Sequence, residues 1–361
     1  MYLQKRSLTT IKSWSFDTDP FGSLSLFSKR FADVYIRTLD PQAFPQMNKV
    51  FIDVVSANDM KELKNRELDL NVSMNSKFRL NISTESEMED NFKILIRMPI
   101  KFEIEASICG NKKIEIADIE NYLVQVTTED GDCLLKNIKT ADLSLSSIRG
   151  NIHCFGSLLA ASKIQTKSGD VTIGKCLGPQ LNIKGETGKI SISSLYSEKS
   201  SINSQSGDIQ IKHCHKDCSI TSKGGSIQIG CLSGNLKCKS EGGNLDLYVE
   251  NTTESELALV GGHANLKLSE KLKSILDLEA KDINMTENIP FIPLEQNVSH
   301  PKVVGVITDE ENIKDDHFVP KDVKIPKSII KAHSASGTIS VSIQNWFQSL
   351  QLSMLEKKQD D

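Results

Sequence analysis

Aromatic side chains are scarce: they make up 6% of the 361 residues, and between Val124 and Met285 they thin to Phe155, Tyr196 and Tyr248. A core in that stretch has to be built from Ile, Leu, Val, Cys and the small hydroxyl residues. No run of 18 apolar residues occurs, so no transmembrane segment is expected. Neither sign of charge dominates. The formal net charge is −4 and the pI is 6.0, which gives no field favouring nucleic acid or an anionic membrane. The sequence has no P-loop, dinucleotide fingerprint, Gly-x-Ser-x-Gly elbow or His-Glu-x-x-His pair. It also lacks the Gly-Gly-x-Gly-x-Asp calcium nonapeptide. These absences remove the commonest signatures of catalysis, and a non-enzymatic chain without a cofactor is expected. A packed core is still affordable, with 38% apolar and 25% charged residues.

What the chain does have is repetition. The phrase "QTKSGDVTIG" (165–174) returns as "NSQSGDIQIK" (203–212). Its turn glycine falls at Gly131, Gly150, Gly169, Gly188, Gly207, Gly225 and Gly243, at intervals of 19, 19, 19, 19, 18 and 18. Five residues before the glycine stand Val126, Leu145, Ile164, Ile183, Ile202, Ile220 and Cys238. Two after it stand Cys133, Ile152, Val171, Ile190, Ile209, Ile227 and Leu245; four after it stand Leu135, Cys154, Ile173, Ile192, Ile211, Ile229 and Leu247. All 21 positions are apolar. The residue directly after the glycine is Asp132, Asn151, Asp170, Lys189, Asp208, Ser226 or Asn244.

Alternation on both sides of a turn gives short strands with one buried face. The glycine reads as a corner residue with freedom to take positive φ, and the Asx as a side chain bonding its own turn. A unit of 19 residues cannot bury its apolar face alone, but stacked copies bury one another's. Identical offsets in every copy favour stacking over a run of antiparallel hairpins. The fold class expected is therefore all-β, a single-chain parallel β-solenoid of about 19 residues per coil.

The regular repeats cover 124–287. Ahead of them, 1–46 reads as an N-terminal segment with the first strands. Residues 47–123 read as an irregular β cap or first coils, since an open stack end exposes pairing edges. The phase loosens at "VGGHANLKL" (260–268). Residues 288–326, with five prolines and the acidic cluster Asp309, Glu310, Glu311, Asp315 and Asp316, read as an excursion from the stack. The chain is expected to rejoin it at "SASGTISVS" (334–342), so that 327–361 forms a final coil and a cap in which Trp346 and Phe347 supply bulk.

The Ser-Gly-Asp-Ile-x-Ile units resemble the putative-adhesin domain family, a β-helical group found in bacterial and eukaryotic proteins. "SWSFDTDPFGSL" with "VYIRTLDP" at one end, and "SASGTISVSIQNWFQSLQL" at the other, resemble the ends of a vertebrate branch of that family. The resemblance implies a β-helix, and it implies no catalytic residues.

Two constellations could carry chemistry. In "KHCHKDC" (212–218), His213, Cys214, His215 and Cys218, with Cys231 and Cys238 downstream, have the residue types of a zinc set or a thiol-redox site. Against that, Cys214 falls in the column of Ile138, Cys176 and Leu195, and Cys218 in that of Val124, Leu143, Leu181 and Leu236. The favoured reading makes them small core hydrophobes, with His213 and His215 facing out. Asp132, Asp170 and Asp208 recur on one edge, as the carboxylates of glycan-cleaving β-helices do, and a general acid/base pair would need two of them to converge. Each is already explained by its turn. The outward Lys163, Lys167, Lys175, Lys184, Glu186 and Lys189 read as a solvated face. The function expected is that of a non-enzymatic scaffold or interaction protein with a protein partner. An enzyme acting on glycans or other polymers, and a zinc or thiol-redox protein, are the alternatives. Free core thiols fit an intracellular setting. The basic start (Lys5, Arg6 and Lys12, with no acid before Asp17) favours mitochondria over cytoplasm.

Overall fold

The computed structural model describes residues 8–56, 69–84, 92–287, 289–297, 302–308 and 326–344. All regular structure among them is β-strand, in two compact units, Met1–Leu181 and Asn182–Asp361. The acidic cluster at 309–316, Trp346 and Phe347, and Lys5 and Arg6 lie outside the described residues.

The first unit contains β1 (Thr9–Asp17), β2 (Ser23–Lys29), β3 (Ala32–Thr38), β4 (Lys49–Ser56), β5 (Asn71–Asn75), β6 (Arg79–Thr84), β7 (Phe92–Met98), β8 (Glu103–Cys109), β9 (Ile114–Thr128), β10 (Cys133–Ser147), β11 (Ile152–Thr166) and β12 (Val171–Cys176). Strands β9, β10 and β11 pair in parallel, each residue opposite its copy one coil away: Cys133 lies against Ile114 and Ile152, and Leu145 against Val126 and Ile164. Each of these strands bends in the middle at a left-handed residue. Asp118 (φ 58°), Asn137 (φ 51°) and Gly156 (φ 69°) form one column, and Asn137 Nδ2 donates to Asp118 Oδ1 at 2.9 Å. Asn and Asp tolerate that backbone region better than other side chains do.

The start of the chain is not wound in sequence order. The pair β2–β3 lies between two later pairs: β2 is flanked by β6 and β8, and β3 by β7 and β9, all parallel. Antiparallel strands then cover the outer ladders, β4 on β7, β1 on β4, and β5 on β6. This end holds the aromatics that the repeats lack: Phe31 and Phe92 stack at 5.1 Å and Phe102 is fully buried.

The second unit continues from β13 (Gln180–Gly185), which begins just ahead of it, through β14 (Ile190–Leu195), β15 (Lys199–Ser204), β16 (Ile209–Cys214), β17 (Asp217–Ser222), β18 (Ile227–Ser233), β19 (Leu236–Ser240), β20 (Leu245–Asn251), β21 (Glu254–Leu259), β22 (Ala264–Ser269), β23 (Ser274–Glu279), β24 (Asp282–Met285), β25 (Phe291–Asn297), β26 (Lys302–Ile307), β27 (Ile329–Ser334) and β28 (Thr338–Gln344). One parallel ladder runs β14, β16, β18, β20, β22, with Ile192 against Ile211 and Ile211 against Ile229. The other runs β15, β17, β19, β21, with Ile202 against Ile220 and Ile220 against Cys238. The fold is the expected parallel β-solenoid, and all 21 repeat positions are 3% exposed or less.

Three details differ from the sequence reading. "VGGHANLKL" is in phase, since Ala264 and Leu266 pair with Leu245 and Leu247 and both are buried. Its His263 after the glycine, and Leu259 where most coils carry Ser or Thr, disguise the match. Part of 288–326 is sheet: β26 pairs antiparallel with β23 and with β25. The last coil rejoins the stack not at its end but inside it, with β27 between β21 and β23, and β28 between β22 and β24.

Candidate functional site

The turn column is the first place to look for chemistry, because it gathers the aspartates. Asp132, Asn151, Asp208 and Asn244 each reach along the stack to the backbone amide of the next coil. Asp132 Oδ1 accepts from Asn151 N at 2.9 Å, and Asn151 Oδ1 from Asp170 N at 2.9 Å. In the second unit Asp208 Oδ1 accepts from Ser226 N at 2.8 Å and Asn244 Oδ1 from His263 N at 3.0 Å. His263 Nδ1 continues the series, accepting from Thr338 N at 3.3 Å. The sequence reading gave these side chains to their own turns; they serve the coil above instead. Each of these Oδ1 atoms is occupied by a backbone amide, so the side chains serve to join coils.

The glycines beside them also have a different reason from the one expected. Gly131, Gly150, Gly169, Gly207 and Gly225 do not have positive φ; in this column Gly243 (φ 89°) and Gly262 (φ 86°) do. What excludes a side chain is the coil below. A Cβ on Gly150 would overlap the carbonyl oxygen of Gly131, one on Gly225 that of Gly207, and one on Gly337 that of Gly262. The column is glycine because strand spacing brings each turn against the carbonyl of the turn before it.

A third column was missed in the sequence. Three residues before the glycine, Ser147, Thr166, Ser204 and Ser222 are buried, and their hydroxyls donate to the carbonyls of Gly150, Gly169, Gly207 and Gly225 at 2.6–3.0 Å. The signal was present in the quoted phrases as S/T-x-x-G. It reads as an ordinary outward polar position unless the strand phase is followed into the corner. Thr128, in the same column, is fully buried and its Oγ1 has no partner.

The second candidate is the Cys/His stretch. Cys214 ends β16 and Cys218 is the second residue of β17, both buried, while His213 is exposed and His215 half-buried on the other side of the wall. The four side chains therefore do not converge, and no group of three or more His, Cys, Asp or Glu among the described residues is arranged to hold a metal ion. The Cys214 and Cys218 thiols interact within the wall, and Cys214 Sγ donates to Lys216 O at 3.7 Å. Interaction with Cys218 draws the Cys214 thiol pKa down, and interaction with Cys214 together with burial pushes Cys218 up. Burial pushes Cys154 and Cys238 up to about 12, so both are neutral packing groups at any ordinary pH. All eight cysteines are free.

Outside the wall, Tyr196 and His215 stack at 4.3 Å with ring planes 7° apart, and His213 stacks on His215 at 6.2 Å. Beside them Cys231 Sγ donates to Glu250 Oε2 at 3.5 Å, and Ser233 bonds the same carboxylate. Burial, then the charge of Glu250, raises Cys231 to about 12, which removes it as a nucleophile. Burial and then His213 lower the pKa of His215 against an opposing pull from Glu250. This ring ladder with its carboxylate is a polar, partly aromatic surface patch. Lys163, Lys167, Lys175, Lys184, Glu186 and Lys189 are all exposed, as expected.

The repeat geometry matches a known family. The family model Toastrack DUF4097 fits the sequence twice, over residues 47–213 and 165–314. The chain belongs to the Toastrack family. Solved structures similar to this Toastrack chain include a putative adhesin from Parabacteroides merdae, at 14% identity and TM-score 0.42, covering 72% of this chain and 95% of that one. A second putative adhesin, from Bacteroides fragilis, is 11% identical with TM-score 0.28 and coverages of 73% and 97%. A putative cell adhesion protein from Clostridium sporogenes is 9% identical with TM-score 0.17, covering 93% of this chain and 100% of its own. Among the described residues, no helix is long and apolar enough to cross a membrane.

Proposed function

We propose that this Toastrack chain is a non-enzymatic scaffold that binds a protein partner through its outer columns, with the Tyr196–His215–His213 patch as the contact. One observation carries the reading: the repeated Asx side chains, which are the best-placed groups for catalysis, accept hydrogen bonds from the next coil. The wall thiols are likewise used in packing. What remains for function is the outward face, and stacked repeats offer long regular faces to partners.

Proximity labelling in cells tests this with three full-length chains. The parent and the Asp132→Asn/Asp208→Asn variant, in which an amide oxygen still accepts the inter-coil bond, are expected to label the same partners. Tyr196→Ser/His213→Ser/His215→Ser is expected to lose them while keeping its melting temperature. Loss of cellular function in the double Asn variant alone would overturn the scaffold in favour of carboxylate chemistry.

The compartment belongs to the same proposal. Eight free thiols support a reducing interior, and the basic stretch with Lys5, Arg6 and Lys12 supports mitochondria ahead of cytoplasm. A reporter fused to residues 1–30 that stays cytosolic would remove the mitochondrial assignment. The likeness of both chain ends to a vertebrate branch of the family supports placing this chain in that branch.

A further inference from the structure

We propose that residues 329–344 are an exchangeable coil: the strand pair β27–β28 leaves its own stack and enters the same slot in a second copy of this chain, joining the copies through an unchanged ladder.

The order of stacking departs from the order of the sequence. In sequence this coil is last, yet in the second unit it lies inside the stack. Leu257 and Leu278 both flank Ala332, and Leu266 and Met285 both flank Val341. Winding the chain from Ile190 onward places β21–β22 and then β23–β24 before residues 329–344 are reached. The slot must therefore open, or stay open, for a segment that arrives later.

The slot is also indifferent to whose segment it receives. The inserted coil carries the same template as every other: Ile330 and Ala332 before the turn, Ser334 three before Gly337, and Ile339 and Val341 after it, all buried. Gly337 N donates to Ser334 Oγ at 3.1 Å, and Gly337 fits over the Gly262 carbonyl as the other column glycines fit over theirs. Nothing in this recognition marks the coil as belonging to the same chain. Exchange re-forms every bond it breaks, leaving mainly the entropy of connection to choose between closed and exchanged forms.

The outer cover of the slot is slight. β24 has four residues, with Asp282 and Asn284 turned outward, and among the described residues its one strand partner is β28. On the other ladder β23 is held from outside by β26. The 21 residues between Ile307 and Ile329 have a contour of about 70 Å, which is ample to reach a neighbour.

The test uses full-length chains with two different tags, mixed and warmed to just below the melting transition, then purified through both tags. It is run on the parent and on Asn265→Cys/Ser340→Cys, whose positions are register neighbours on β22 and β28. Thiol counting verifies that oxidation has closed the new bridge. The expected result is mixed-tag complex from the parent and the reduced double variant, falling at least tenfold in the oxidised variant. As a second readout, a fluorescent peptide spanning 326–344 should be taken up by the reduced variant and refused by the oxidised one. Equal mixed-tag complex with the bridge closed would assign association to another surface. No mixed-tag complex and no peptide uptake in the reduced protein, at a temperature where the β28 amides exchange with solvent, would equally overturn the proposal.

Discussion

Gly224 and Gly225 are neighbours in one turn, and replacing each by alanine should have opposite effects. At Gly225 the new Cβ overlaps the Gly207 carbonyl. Relief requires the two turns to separate along the stack by about 1 Å, since an ordinary carbon–oxygen contact needs roughly 3.2 Å. Two inter-coil bonds flank the spot, Ser226 N to Asp208 Oδ1 at 2.8 Å and Ile209 N to Ser226 O at 2.9 Å. Stretching both out of range costs about 0.5–1.5 kcal/mol apiece, and the residual overpacking adds about 1–3 kcal/mol. A loss of about 4 kcal/mol follows. For a unit of about 180 residues this lowers the melting temperature by roughly 8–16 °C. At Gly224 a Cβ meets nothing nearer than Gln205 O at 3.4 Å. Its backbone is not left-handed, so alanine there restricts the unfolded chain and stabilises by about 0.4–1 kcal/mol. Thermal and urea unfolding followed by far-ultraviolet circular dichroism would measure both. Equal shifts for the two variants, or a neutral Gly225→Ala, would refute the claim that stack spacing selects the column glycines.

The buried hydroxyl column gives a second contrast. Ser222→Ala removes the donor to Gly225 O and should cost about 1–2 kcal/mol, whereas Thr128→Val replaces an unpartnered hydroxyl by a methyl and should be neutral or stabilising in the same unfolding assay. In the Asx column, Asp208→Asn should leave the urea midpoint within about 0.5 kcal/mol of the parent, and Asp208→Ala should lose about 1 kcal/mol more, because the Ser226 amide then lacks its acceptor. Stability should fall in alkali. The Cys154 and Cys238 thiols are raised from 9.0 to about 12 in the folded chain, so from pH 9 upward the unfolded state sheds protons that the folded state keeps. The stabilisation is fully present below pH 9 and declines by up to about 1.4 kcal/mol per thiol per pH unit up to pH 12. Cys154→Val/Cys238→Val should flatten that decline in melts recorded from pH 8 to 11, and an unchanged slope would count against buried neutral thiols.

The coil itself was legible because its physics is local in sequence: offsets of −5, +2 and +4 around a glycine are a one-dimensional record of which side chains face inward. Cysteine could be read as core for the same reason, since Cys214 and Cys218 sit at offsets that aliphatic residues fill elsewhere. The purpose of each turn residue was less legible. A glycine excluded by a neighbouring carbonyl and a glycine chosen for positive φ are the same letter. An Asp that bonds its own turn and one that bonds the next coil are likewise indistinguishable without the third dimension. The outer patch of Tyr196, His213, His215 and Glu250 gave no signal as a group, because Tyr196 lies 17 residues before His213 and Glu250 lies 35 after His215, and only stacking brings them together.

The order of stacking lay furthest from view, and the reason is the repeat itself. A coil built as Ile330-x-Ala332-x-Ser334-x-x-Gly337-x-Ile339-x-Val341 satisfies any rung with the same inward columns, so its sequence specifies that it will stack without specifying where. What excludes other positions is the reach of the connecting chain and the timing with which neighbours close. Each of the two units uses that freedom, with β2–β3 placed between two later pairs and β27–β28 between two earlier ones. The degeneracy that conceals the order from a reader of the sequence also leaves the inserted coil free to find the equivalent rung in another copy.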